Sequence, residues 1–116
     1  MIPVELRLRG RGQALVFLAA LTRVNRPQVE RLPPLLTSGV RYSREGGEVW
    51  QDARATYRRR KGDCEDLACW LAAEYQNGGR RCAVDLVRTG ARMWHAVVRL
   101  ESGVIVDPST ILGMGS

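Results

Sequence analysis

Gly62-Asp63-Cys64-Glu65-Asp66-Leu67-Ala68-Cys69-Trp70-Leu71-Ala72-Ala73-Glu74-Tyr75-Gln76-Asn77-Gly78-Gly79 is the stretch on which the fold turns. Cys64, Leu67, Ala68, Leu71, Ala72 and Tyr75 recur at i, i+3, i+4, i+7, i+8 and i+11, the apolar stripe of a helix of about three turns. Asp63 stands where an N-cap is needed, and Asp66 at the third helical position completes a capping-box-like pair. Asn77-Gly78-Gly79 ends the helix. Cys64 is then the first helical residue, on the stripe that faces the core.

Downstream the hydrophobic period changes from 3.6 to 2. Arg81–Arg88 and Met93–Leu100 read as strands joined around Thr89-Gly90, and Val104–Asp107 as a third after Ser102-Gly103. In the middle strand Trp94, Ala96, Val98 and Leu100 form one face, and Met93, His95 and Val97 the other. Both faces are largely apolar, so the sheet is expected to be covered on both sides. The last hairpin decides where Asp107 falls. A two-residue loop would set it opposite Val98, on the face away from His95. A three-residue loop of Glu101-Ser102-Gly103, with Gly103 in the left-handed region, sets it opposite Val97 and diagonal to His95, about 7–8 Å away.

Upstream, Val4, Leu6 and Leu8 alternate with Glu5, Arg7 and Arg9, which predicts a short strand or extended arm broken by Gly10 and Gly12. Gln13–Val24 predicts a helix that ends at Asn25-Arg26-Pro27, because the residue before proline is pushed out of the helical region. Residues 33–39, with their paired prolines and closing glycine, predict a helical turn. Residues 40–47 read as loop. Trp50, Ala53 and Tyr57 predict a helix over 49–59 with Arg58-Arg59-Arg60-Lys61 at its negative end, stopped by Gly62. Helices followed by an antiparallel sheet make an α+β domain.

With 116 residues the chain has room for one domain over 1–116, divided into an N-terminal arm and covering helices (1–38) and a core (39–114). Its 45% hydrophobic and 26% charged residues exclude a disordered or collagenous chain. The net charge of +6 divides into +8 over residues 1–61 and −2 over 62–116. Three cysteines, an odd number, argue against a disulfide framework and for a reducing, cytoplasmic setting. The longest apolar run, Ala14–Leu21, is far short of the ~20 residues of a membrane span. It follows Arg7, Arg9 and Arg11 as a secretory leader would, but no small-x-small cleavage pattern comes after it, so it reads as a core helix.

Cys64 is the cysteine placed to be a nucleophile, since a helix N-terminus and nearby cations lower a thiol's pKa. Cys69 and Cys82 read as inert thiols. The single histidine, His95, would take and return the proton, and Asp107 would orient the imidazole. The backbone N–H of Cys64 would hold the oxyanion together with a side-chain donor, for which Trp50 and Gln51 are candidates. Asp63, Glu65 and Asp66 could suggest a metal, but capping and dipole pairing account for Asp63 and Asp66, and the Cys/His spacing fits no common zinc knuckle. Neither a metal nor a cofactor is expected. The Arg58–Lys61 run is read as a solvated helix end, with a weaker reading as a phosphate or nucleic-acid patch.

Gly62-Asp63-Cys64-Glu65-Asp66-Leu67-Ala68, Trp94-His95-Ala96-Val97-Val98 and Asp107-Pro108-Ser109 resemble the three motifs of the transglutaminase-like superfamily, whose papain-like core carries Cys on a helix and His and Asp on adjacent strands. Gly39-Val40-Arg41-Tyr42 and Glu48-Val49-Trp50-Gln51 add a resemblance to the small members found in bacteriophages and bacterial genomes. The resemblance spans residues 39–114, roughly two-thirds of the chain. The interval of 12 between His95 and Asp107 is shorter than in larger members, which leaves less wall around a substrate. It implies a Cys64-His95-Asp107 triad and acyl transfer through a thioester, most plausibly as a peptidase or amidase acting on a peptide or protein amide. The competing expectation is a non-enzymatic phage or virion component that keeps the fold and binds protein or nucleic acid through its basic half.

Overall fold

The first element of the computed structural model already departs from the sequence pattern. Residues 2–44, 50–89 and 93–115 are described. The chain forms β1 (Ile2–Pro3), α1 (Val4–Val29), a 3-10 turn at Leu35–Thr37, β2 (Arg41–Tyr42), α2 (Ala53–Arg59), β3 (Lys61–Gly62), α3 (Cys64–Asn77), β4 (Cys82–Arg88), β5 (Met93–Leu100), β6 (Ile105–Val106) and α4 (Pro108–Ile111). The strand expected from Val4 is instead the start of α1. Leu, Arg and Glu are strong helix formers, and a short alternation does not outweigh a helix propagating back from Gln13. Gly10 and Gly12 weaken that helix by about 1 kcal/mol each without ending it.

Pro27 does not end α1 either. The last turn of α1 is held from outside by the start of α2. Asn25, fully buried, accepts from the Ala53 N–H at 2.8 Å, and Gln28 accepts from the Arg54 N–H at 2.9 Å. These are two of the orphan donors at the N-terminus of α2, whose own cap, Asp52, accepts from the Ala55 N–H. Tertiary hydrogen bonding thus offsets the loss of one intrahelical bond at proline. The helix expected over 49–59 begins only at Ala53, so Trp50 is not helical. The expected loop over 40–47 contains β2, which pairs in parallel with β3 (Tyr42 opposite Gly62). Residues 45–49 and the turn from Gly90 lie outside the described residues.

Helix α3 has its capping box: Asp63 accepts from the Asp66 N–H and Asp66 from the Asp63 N–H. The sequence pattern predicts one buried stripe, whereas every residue from Cys64 to Ala73 is buried. The helix is sandwiched between α1 and the sheet. Leu18 of α1, Leu67, Ala68 and Leu71 of α3, and Ala96 and Val98 of β5 belong to one apolar cluster that runs from Ala14 to Leu112. Among the described residues no helix is long and apolar enough to cross a membrane.

The antiparallel sheet has the order β1-β5-β4, with β6 also on β5. Residues of both faces of β5 are buried, Ala96 and Val98 on one and His95 and Val97 on the other. The β5–β6 register is Val98 opposite Val106 and Arg99 opposite Ile105, so the next position, Asp107, stands opposite Val97. The loop is the three-residue form: the Leu100 N–H donates to Val104 O at 2.8 Å, the Gly103 N–H donates to Leu100 O at 2.9 Å, and Gly103 has φ +92°. A Cβ at Gly103 would meet nothing within 4 Å, so only its backbone conformation opposes a side chain there. Gly103→Ala is therefore expected to lower stability by about 1 kcal/mol, read as a shift of the urea midpoint; an unchanged midpoint would contradict the loop geometry.

Candidate active site

Register brings His95 and Asp107 together. The His95 Nε2 lies 2.9 Å from both carboxylate oxygens of Asp107. Asp107 is fixed from the other side as the N-cap of α4, accepting from the Ser109 N–H at 3.1 Å and from the Thr110 hydroxyl at 2.9 Å. An ionised carboxylate only accepts, so the proton of a neutral imidazole sits on Nε2. The other nitrogen, Nδ1, is then a lone-pair acceptor. It is buried and, among the described residues, has no hydrogen-bond partner.

Cys64 is brought to the same strand. The backbone N–H of Ala96, the residue after His95, favours its thiolate form. Along this edge of β5, position 94 pairs with β1 and position 98 with β6, and position 96 lies between them. The thiol donates its own hydrogen to Glu65 Oε2 at 3.2 Å. Cys64 is 0% exposed and Glu65 4%. The expected lowering of the Cys64 pKa is not found. Burial, and next the Glu65 carboxylate, push it up to about 12. The cations meant to lower it point elsewhere: Arg58, Arg59 and Arg60 are exposed, Arg59 donates to Gln51, and Arg60 stacks on the Tyr57 ring and donates to its carbonyl.

Cys69 and Cys82 are likewise raised, in both cases chiefly by burial. The three cysteines are free thiols. Cys69 donates to Leu18 O and Cys82 to Ala72 O, as packed structural thiols do.

Gln51 is not available as an oxyanion donor. Its amide donates to Asp66 Oδ2 at 3.0 Å, its backbone N–H donates to Asp66 Oδ1 at 2.7 Å, and its oxygen accepts from Arg59. It braces the capping box. Trp50 is half-buried, with its ring edge-on to Phe17 at 6.1 Å.

Two residues that the sequence pattern did not single out as functional lie beside the thiol. Glu65 is one. Tyr42 is the other, carried by β2 to the strand that leads into Cys64. Burial raises its pKa first, then the nearby Cys64, Asp63 and Glu65, so it remains a neutral O–H donor. A carboxylate next to Cys64 was visible in the sequence. The parallel pairing of two-residue strands that delivers Tyr42 has no sequence signal. Gly62, in the same segment, is required by close approach: a Cβ there would stand 3.0 Å from the Thr56 methyl and 3.1 Å from Asp66 Cβ.

A groove of about 830 Å³ lies elsewhere, between α1 and β4, lined by Leu15, Ala19, Arg23, Cys82 and Val84 among others. Neither Cys64, His95 nor Asp107 reaches it.

Burial and the neighbouring Asp63 raise Glu65 to about 7, and they raise Asp66 to about 7 against the opposing Gln51 donors. Unfolded carboxylates titrate near ~4. The folded chain therefore binds more protons between these values, and stability present at low pH is lost as pH rises through about 7. Urea unfolding is expected to show a fall on the order of 2 kcal/mol from pH 5 to pH 8, and Glu65→Gln should flatten it; a slope that Glu65→Gln leaves untouched would contradict the assignment. No protein-family model, no curated protein and no solved structure matches this chain.

Proposed function

We propose that this chain is a cysteine-dependent acyl-transfer enzyme, of peptidase or amidase type, with Cys64 as nucleophile, His95 as acid and base, and Asp107 as the orienting carboxylate. The observation that carries the proposal is the buried imidazole held at Nε2 by Asp107, with Nδ1 unpartnered among the described residues, on the strand against which the helix of Cys64 packs. The reading also rests on the resemblance of the three motifs to the transglutaminase-like superfamily and its papain-like core.

His95 Nδ1 takes the proton of Cys64, leaving a thiolate and an imidazolium whose Nε2–H stays on Asp107. The thiolate adds to an amide or ester carbonyl. The oxyanion receives the Cys64 backbone N–H, one of the free donors of the first turn of α3, and a side-chain donor. With Gln51 committed to Asp66, that donor is Trp50 or Tyr42. The imidazolium then protonates the leaving amine, and the thioester passes to water or to an amine. A peptide or protein amide is the substrate class that this sequence of steps serves, and none of them calls on a metal or cofactor. Because Cys64 and His95 are closed to solvent, the acyl donor has to displace what covers them.

The same burial, with the raised thiol pKa, favours a second reading, in which the chain keeps this arrangement but acts as a phage or bacterial component that binds protein or nucleic acid. One experiment separates the two. A panel of peptidyl esters and amides, followed by intact mass, is expected to show a covalent acyl adduct on Cys64. His95→Ala should abolish it, and Asp107→Asn should slow its formation by about 10²-fold or more. If no substrate of the panel turns over and no adduct forms, the enzymatic reading falls.

A further inference from the structure

The geometry points to Glu65 as a positioning residue that holds the S–H of Cys64, as a neutral thiol, until the site is engaged. This inference rests on the acyl-transfer reading above. The site holds two buried acceptors. One is Glu65 Oε2, which the thiol already meets at 3.2 Å. The other is His95 Nδ1, buried and unpartnered in an imidazole that is 2% exposed. A buried acceptor left empty is costly, on the order of 1–3 kcal/mol, and it marks where the S–H is meant to go. Glu65 is itself an unusual buried side chain, 4% exposed, since carboxylates are rarely buried unless paired.

The hand-over is a rotation followed by a proton transfer. The S–H turns about Cβ–Sγ, away from Glu65 and toward Nδ1. The S–H bond breaks as the Nδ1–H bond forms, giving thiolate and imidazolium with no net change of charge. Glu65 keeps its own protonation state throughout. The groups that face this unit are Asp63 from the cap, Tyr42 from β2 and the Ala96 N–H from β5. The Ala96 N–H favours the thiolate, whereas a Glu65 carboxylate opposes it both by its charge and by stabilising the S–H. Replacing Glu65 with the isosteric amide removes the charge and leaves the shape.

The test is the rate at which each cysteine of the whole protein reacts with a small neutral methanethiosulfonate at pH 7.5, resolved by mass spectrometry, in the wild type, Glu65→Gln, His95→Ala and the double variant. A fall of one unit in thiol pKa is about tenfold in thiolate. Glu65→Gln is expected to speed Cys64 by about that factor while Cys69 and Cys82 keep their wild-type rates, and adding His95→Ala should remove the gain. A Cys64 rate unchanged or slowed in Glu65→Gln overturns the role of Glu65, and leaves the triad standing if His95→Ala alone still slows Cys64. A gain that survives His95→Ala keeps the Glu65 hold and defeats the triad. Should all three cysteines accelerate together, Glu65→Gln has loosened the fold, and the wild-type infrared S–H stretch decides instead. The band lost in Cys64→Ser is expected at the lowered frequency of a thiol donating to a carboxylate; a band at the free-thiol frequency, or none, overturns the inference.

Discussion

The site depends on how β5 shares one of its edges. Alternate backbone groups along a strand point the same way, and on the edge opposite β4 the outward positions of β5 meet different partners, β1 at Trp94 and β6 at Val98, with Ala96 between them. Helix α3, which carries Cys64, packs against this strand. The intervening side chain, His95, has Asp107 at hydrogen-bond distance only because β6 is in the register set by the Gly103 loop. A one-residue slip would send Asp107 to the other face.

A second constraint holds α3 in place. Asp66 is fully buried, yet it accepts from the Gln51 N–H, the Gln51 amide and the Asp63 N–H. One carboxylate thereby ties the segment before α2 to the start of α3. The link from sequence to packing is direct here: the capping residue of the helix is also the anchor of the chain that crosses it. Such a buried, hydrogen-bonded carboxylate is specific more than it is stabilising. It fixes the height of Cys64 against β5. Burial of that thiol, and next the Glu65 carboxylate beside it, raise its pKa.

Much of this arrangement was legible in the sequence because it is local. The capping box, the period switch after Gly79 and the loop chosen by Gly103 each follow from a few neighbouring residues, and they suffice for an α+β fold with His95 and Asp107 on one face. What was not legible is tertiary. Val4–Arg9 alternates like a strand but lies in a helix, and Pro27 fails to stop α1 because Asn25 and Gln28 cap α2 across space. The pKa of Cys64 was misread for a related reason. The rule for a helix N-terminus assumes solvent and cations nearby, whereas the thiol is buried against Glu65 and the arginines face outward. The role expected for Gln51 was lost to Asp66, a partner that its sequence position does not announce.

The account stands on the tautomer of His95, and the chain has a single histidine on which to measure it. A long-range proton–nitrogen NMR spectrum of the uniformly labelled protein near pH 7.5 reports directly which ring nitrogen carries the proton. Nε2 protonated and Nδ1 bare, with the Nε2 signal displaced in Asp107→Asn, is the predicted result. A proton on Nδ1, or an exchange-averaged imidazole indifferent to Asp107, would contradict it.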